Sequence, residues 1–573
     1  MRTLLLALLL AAPLRRAADR PNVIIVLTDD NGYGDFSCLG NPVLKTPHMD
    51  RLYAESVRLT DFHVAPMCTP TRGQLMTGLD ACRSGATSVC AGRSFIRRGI
   101  PTMAEIFRGQ GYRTAHFGKW HLGDSYPNLP HQRGFEETVY FPGWGITAMA
   151  DVWQNDNFDG WYRHNGVLKQ YKGYCTDVWF DLSMSWMKAQ REKNEPFLVY
   201  LPTNAAHGPH WVPEKYKKPY EGKGPAGFFG MIANIDENMG RLDAFLKENG
   251  LRDNTIVILM NDNGGTAGVK IYNAGMRGQK TTYYEGGHRA ACFIRWPAGK
   301  LRAPGDVDTA SQVQDILPTL IECCGLTTPA GGKFDGASLA GLLTGKAAAL
   351  PDRMMVVQYG QRPLKGDCAV MWNQWRLVKE KELYDIKADP GQAKDVAAAN
   401  PEVIKKMQAH YDAWWTEIAK TLDDFSPVSL GADQENPATL SAADWENVYC
   451  DNMQNLRQGV ERNAPWHVLI EKDGDYEIAL RRWPKEADAA IAAGVPPFKG
   501  VDGGLPAGKA LPIAKARLKV GNFDASKPVG PEDKEVVFRV PLKAGPKTTM
   551  QTWFTDSDGK ELCGAYFAYV LRR

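Results

Sequence analysis

At 573 residues the chain is longer than the ~100–200 residues of one ordinary domain. Its 44% hydrophobic and 23% charged content is that of a globular protein, not a disordered or fibrous one. The 68 lysines and arginines nearly balance 65 acidic residues for a net charge of +3, which excludes the broad basic field that nucleic-acid binding demands. Behind Arg2, the apolar run 3–14 is too short to span a bilayer as a helix and has the length of a signal-peptide core. Residues 1–18 are therefore expected to be a signal peptide, and the protein to be exported, periplasmic or extracellular. Arg15-Arg16 ahead of Ala17-Ala18 marks the cleavage site poorly. No later segment is long and apolar enough to be transmembrane.

Four apolar runs then end abruptly in polar residues. Asn22–Thr28 runs into Asp29-Asp30, and Tyr112–Phe117 into Gly118-Lys119-Trp120-His121. Phe197–Leu201 leads toward His207, and Thr255–Met260 into Asn261-Asp262-Asn263-Gly264. Runs rich in β-branched residues, alternating with helical stretches at 47–57, 102–109, 178–189 and 230–248, predict buried parallel strands of an α/β domain. In open sheets of this kind ligands gather outside the carboxyl ends of the strands, so all four polar ends are expected on one rim. Oxygen donors at Asp29, Asp30, Asp262 and Asn263 would repel one another unless they surround a divalent cation. Oxygen-only ligation favours Ca²⁺ or Mg²⁺ over zinc.

Between these runs stands Cys68-Thr69-Pro70-Thr71-Arg72, followed by Gly73-Gln74-Leu75-Met76-Thr77-Gly78. Pro70 is tolerated in the first turn of a helix, a helix N-terminus attracts anions, and Arg72 adds a permanent cation. This stretch resembles the signature of the type I sulfatases, arylsulfatase-like enzymes in which the cysteine is oxidised to formylglycine. The resemblance covers roughly residues 20–420, with the family's motifs in order. One departure is Leu79, where the family commonly has arginine after the Thr-Gly pair.

The resemblance implies an alkaline-phosphatase-like α/β sandwich with a mainly parallel central sheet. It implies Ca²⁺ held by Asp29, Asp30, Asp262 and Asn263 together with the residue derived from Cys68. A hydrated aldehyde there carries two hydroxyls, one to attack sulfur and one to expel sulfate afterwards. By the same resemblance Asp262 accepts the nucleophile's proton, and Arg72 and His121 hold the diol, with His121 alternatively its base. Lys119, His121, His207 and Lys280 complete the anion pocket. Lysines suit a tetrahedral anion as point charges. Lys280 precedes a Glu285-Gly286-Gly287 turn, and His207 matches the histidine that protonates the leaving alcohol. His63, His210 and His288 stay unassigned. A formylglycine-generating maturation enzyme is the implied partner.

The catalytic domain is expected over 19–350. Short strands at 354–359, 368–372 and 375–379 and a helix near 401–419 follow, and residues 351–421 resemble the small antiparallel C-terminal subdomain of sulfatases. Residues 422–447, rich in Asp, Pro, Ser and Ala, read as a linker. An all-β sandwich is expected over 448–573, opening with a hairpin of 466–471 and 476–483 and continuing with strands at 516–520, 536–542, 549–554 and 563–571. It is a structural module or a carbohydrate-binding one. There are 11 cysteines; conversion of Cys68 leaves ten, and Cys82 with Cys90 are close enough in sequence to bridge a loop. Residues 124–175 carry Trp144, Trp153, Trp161 and Tyr162, which line a sugar cleft or fill a core, and Arg163 and His164 are candidates to read a second anionic group. The function expected is hydrolysis of a sulfate monoester on a carbohydrate or other small molecule. The alternatives are a phosphonate or phosphate ester hydrolase on the same fold, or a silent glycan-binding protein if Cys68 is not matured.

Overall fold

The computed structural model describes residues 20–573, so the expected signal peptide lies outside the described residues. Its centre is a ten-stranded sheet. The four runs singled out above are its middle strands: β1 (Asn22–Thr28), β2 (Arg113–Lys119), β3 (Phe197–Pro202) and β4 (Thr255–Asn261). They lie in the order β4-β1-β3-β2, all parallel. Each is buried almost throughout, which is why it reads as a continuous apolar run. Alternation along β1 sends Ile24 and Val26 into one helical layer and Val23, Ile25 and Leu27 into the other. The first layer contains the helices Cys175–Lys193 and Ala226–Glu248, the second Cys68–Thr77 and Ile316–Cys323. Beside β4 the strand Cys292–Arg295 runs antiparallel, and a hairpin of Trp161–His164 with Val167–Gln170 closes the far edge.

The small subdomain is a four-stranded antiparallel sheet, Met355–Val357, Ala369–Trp372, Trp375–Val378 and Glu382–Asp385. The helix Pro401–Ile418 packs Met407 and Tyr411 against it. Beyond it, two sheets of six and four strands enclose a third apolar core.

Two expectations for this region are corrected. Within 422–447, taken as a linker, Val428–Leu430 and Ala438–Ser441 are strands, one in each sheet of the sandwich. Their short length and polar flanks hide a register that only the partner strands supply. Nor do Trp466–Ile470 and Gly474–Arg481 form a hairpin. The first pairs with Thr548–Thr555, the second with Val536–Leu542 and Phe567–Arg572 in the opposite sheet. Both strands aim their alternating apolar residues, Trp466 and Val468 against Tyr476 and Ile478, into the same core, so the chain crosses from one sheet to the other. The bridge that the spacing of Cys82 and Cys90 allows is not formed, since both are free thiols.

Candidate active site

The register of β1 and β4 builds the floor of the site. Thr28 lies opposite Asn261, so the next residues, Asp29 and Asp262, emerge side by side at the carboxyl rim, with Asp262 N donating to Thr28 O at 3.0 Å. Asp30 takes a left-handed φ of 62°, which turns a second consecutive carboxylate into the same space. The loop after β4 lies flat against the Glu285-Gly286-Gly287 turn. A Cβ on Gly264 would sit 2.0 Å from the Gly286 carbonyl oxygen, so only glycine admits this approach.

Cys68 is the first residue of a ten-residue helix that is buried along its whole length. Burial pushes its thiol up. One turn on, Arg72 is fully buried: its Nη2 donates to Asp262 Oδ2 at 2.8 Å and lies 3.7 Å from Asp29 Oδ2, while Nη1 donates to Lys119 O at 3.0 Å. Lys119 Nζ donates to Asp29 Oδ2 at 2.5 Å, and Lys280 pairs with Asp30. Asn263 Nδ2 donates to Asp30 Oδ1 at 3.1 Å. Three carboxylates thus face three cations, with Asp29, Asp262, Arg72 and Lys119 fully buried and Asp30 and Lys280 partly open to the cavity.

The donor set fits a hard divalent cation. Asp29 Oδ1 and Asn263 Oδ1 are buried oxygens with no hydrogen-bond partner, and Asp29, Cys68 and Asp262 offer ligand atoms within 4.8 Å of one another. Burial first, then Asp29, pushes the Asp262 carboxyl up to about 7, a strain that a cation among these oxygens relieves. Burial raises Asp30 as well, but Lys280 and His207 outweigh it and hold its carboxyl well below the ordinary value.

Two histidines face the cavity above this floor. His121, at φ 56°, shares a 3.0 Å hydrogen bond from Nε2 to the Val89 carbonyl, and its buried Nδ1 has no partner. With Nε2 as the donor, Nδ1 is a bare acceptor, and burial followed by Lys119 lowers the ring's pKa well below 6.5. His207 donates from Nδ1 to the Gly208 carbonyl at 2.7 Å and sets Nε2 3.8 Å from Asp30 Oδ2. Its ring lies against Trp144, centroids 4.7 Å apart. Cys68, His121, His207 and Lys280 line one cavity of about 560 Å³. Arg72 acts from behind its wall instead, through Asp262 and the Lys119 carbonyl.

Other sequence candidates lie elsewhere. His210 packs on Phe228. His63 and His288 meet each other, Nδ1 to Nδ1 at 2.9 Å, in a buried network with Asp61, Glu285 and Arg376. Trp153 meets Trp483 edge-on and Tyr162 is core, while Trp144 lines the cavity. Arg163 and His164 do not read a second anion there: His164 is engaged by Glu137 and Tyr171, and neither residue reaches the cavity. The residues that sequence reasoning missed are Tyr449, Asp451, Asn452 and Gln454, which wall the cavity from the C-terminal domain. Nothing local to them in the sequence signals this, because the contact is between domains.

Comparison with known proteins decides the family. A sequence model of the sulfatase family matches residues 21–326. The chain belongs to the sulfatase family. Over 408 residues this sulfatase is 29% identical to the N-acetylgalactosamine-6-sulfatase of Homo sapiens, covering 66% of this chain and 76% of the relative. It is 29% identical over 480 residues to human arylsulfatase A, covering 71% and 89%. The crystal structure of Ps i-CgsB in complex with k-i-k-neocarrahexaose superposes with a TM-score of 0.62 at 25% identity, covering 69% of this sulfatase and 92% of that chain. The sulfatase is accordingly a sulfuric ester hydrolase on the α/β sulfatase fold. Among the described residues no helix is long and apolar enough to cross a membrane.

Proposed function

We propose that this enzyme hydrolyses a sulfate monoester on a carbohydrate, with residue 68 matured from cysteine to formylglycine and Ca²⁺ held by Asp29, Asp30, Asp262, Asn263 and that residue. The observation that carries the reading is the pair of buried, unpartnered oxygens, Asp29 Oδ1 and Asn263 Oδ1, beside Cys68 at the floor of the cavity. Matured and hydrated, residue 68 would supply a hydroxyl for in-line attack on sulfur and a second hydroxyl whose deprotonation releases sulfate. The cation, when bound, would lower the pKa of that hydroxyl and draw charge from the sulfuryl oxygens.

The chain's own groups do the rest. Arg72 fixes Asp262 in place. Lys280, which lines the cavity beside Asp30, presents positive charge to the sulfate oxygens, and Lys119, buried behind the wall on Asp29, adds to the field. A divalent ion added to three acids and three bases makes the site net positive, which suits a sulfate monoester monoanion. His207, when protonated at Nε2, would deliver its proton to the departing alcohol, and His121, whose unpartnered Nδ1 shares the cavity wall with residue 68, would accept a proton from it. Glycan preference is supported by the cavity's mixture of aromatic and neutral polar walls and by the glycan names of the relatives. Export is part of the same reading, supported by the apolar run at 3–14.

Intact-peptide mass spectrometry across Cys68, on protein from a maturation-competent host, tests it. The aldehyde in place of the thiol, with turnover of sulfate over phosphate aryl esters, is the expected outcome. Faster phosphate turnover would make the enzyme a phosphoester hydrolase, and an unmodified thiol with no turnover would make it a binding protein.

A further inference from the structure

The cavity is shared between the two halves of the molecule. One wall belongs to the catalytic domain, with Trp144 and Trp211; the other belongs to the C-terminal β-domain, with Tyr449, Asp451, Asn452 and the Gly504-Leu505 segment. This juxtaposition is built in, not incidental. Met149 N donates to Asp451 O at 2.7 Å, Met453 N to Thr147 O at 2.8 Å, and Trp144 Nε1 to Asp451 O at 3.1 Å. On the other side, Asp502 accepts from Val212 N at 3.1 Å and from Lys217 Nζ at 2.7 Å. That pair holds the 504–505 segment against the chain that leaves His207.

Charge is distributed unevenly along this space. Lys119, Arg72 and Lys280 cluster at the nucleophile end, each engaged with a carboxylate. Among the described residues Lys280 is the one lysine or arginine in the lining, Arg72 and Lys119 standing behind the wall. The rest of the lining offers an aromatic face at Trp144, a half-exposed ring at Tyr449, and Asp451, whose carboxylate accepts from Asn452 Nδ2 at 3.0 Å. A carboxylate and an amide accept and donate to hydroxyls, and aromatic faces take the apolar side of a ring. A second anionic group would be desolvated there without a partner.

We propose that the C-terminal β-domain is part of the active site: Tyr449, Asp451 and Asn452, with Trp144, form the pocket for the leaving alcohol. That pocket selects an uncharged, hydroxyl-bearing ring carrying a single sulfate over one with a second anionic group. The inference rests on the sulfatase reading above and goes beyond it in naming the class of the alcohol and the domain that recognises it.

The test uses the full-length matured enzyme. Its probes are galactose and N-acetylglucosamine sulfated at each single hydroxyl, the corresponding sulfated disaccharides bearing a uronate, and 4-nitrophenyl sulfate. The wild type is expected to favour one monosulfated neutral sugar over its uronate-bearing counterpart by about tenfold in kcat/KM. Asp451→Asn and Tyr449→Ala are each expected to weaken turnover of that sugar by about tenfold, with the loss falling on KM more than on kcat. Tyr449 is 40% exposed, so its truncation leaves no core cavity and keeps the test valid should Asp451→Asn fold poorly. A KM within about twofold of wild type in Tyr449→Ala, or a preference for the uronate-bearing esters, overturns the inference while leaving the sulfatase reading intact. Failure of the matured wild type to cleave any of the sulfate esters strikes the sulfatase reading itself, and the inference with it.

Discussion

Cys68 illustrates how position and chemistry combine. As a thiol it is buried, its pKa is raised by desolvation, and it faces carboxylates, so it is a poor nucleophile as translated. Replacing it with alanine is expected to abolish turnover, on the order of 10⁶-fold as for other lost nucleophiles, while equilibrium binding of a sulfate ester persists; steady-state kinetics beside calorimetry reads both. His207 is separable from it. His207→Ala is expected to cost about 10²–10⁴-fold in kcat on a sugar sulfate and much less on 4-nitrophenyl sulfate, whose leaving phenolate needs no proton. Equal losses on the two esters would deny His207 the role of acid. The motif residues were legible in the sequence because each sits at the end of an apolar run or in a signature. The partners of Arg72 were not: the resemblance implies that it holds the diol, and the fold adds that its Nη atoms bond Asp262 and the Lys119 carbonyl while Nε has no partner.

At the scale of elements, the joint between the catalytic sheet and the small antiparallel sheet is ionic and buried. Arg376, on the strand Trp375–Val378, donates from Nε to Glu285 Oε1 at 2.8 Å and from Nη2 to Asp61 Oδ1 at 2.7 Å. Burial raises Glu285, but Arg376, His63 and His288 outweigh it and hold the carboxyl at about 2. A carboxyl lowered on folding contributes stability that is complete above its unfolded value and lost as pH falls through the folded one. Wild-type unfolding free energy is therefore expected to decline between pH 4.5 and about 2. Arg376→Ala removes the cation that two buried carboxylates share, leaving Asp61 with His63 and Glu285 with Arg289, and is expected to cost about 3–5 kcal/mol at neutral pH, with a shallower acid slope; urea melts across pH measure both. Because Glu285 opens the turn packed against Gly264, the same joint supports the loop that carries Asp262 and Asn263. The central strands were readable from periodicity; the small sheet and its helix were expected with the help of the family resemblance, and its fourth strand, Glu382–Asp385, was not expected. The crossing between the sheets of the sandwich was not readable, since an alternating pattern says which face is buried and not which strand lies alongside.

The whole molecule places its most costly arrangement, three carboxylates with two unpartnered oxygens, where four parallel strands end. A cation that binds only the folded state stabilises it by mass action. Free Ca²⁺ at 100 times its Kd is expected to add about 2.7 kcal/mol, reversed by a chelator and abolished in Asp29→Asn; calorimetric melts against free Ca²⁺ give the value. If the melts ignore Ca²⁺ in wild type, the cation assignment falls while the fold is untouched.

By itself the sequence determined the chemistry of the floor and the layer architecture around it. Carboxylates after buried strands, a Cys-Pro-Arg helix start and a Glu-Gly-Gly turn are local patterns, written in residues close together along the chain. Only the tertiary structure decided which side chains wall the space above. Tyr449, Asp451 and Asn452 reach Trp144 across some 300 residues of chain, through the Trp144 indole on the Asp451 carbonyl and through backbone bonds at Met149 and Met453. Such contacts leave no mark on composition or periodicity. The same is true of the strands at 428–430 and 438–441, whose pairing is set by partners at 468–470 and 567–570. Local free energy is encoded in neighbouring residues, whereas the leaving-group pocket exists only where the catalytic and C-terminal parts of the chain meet.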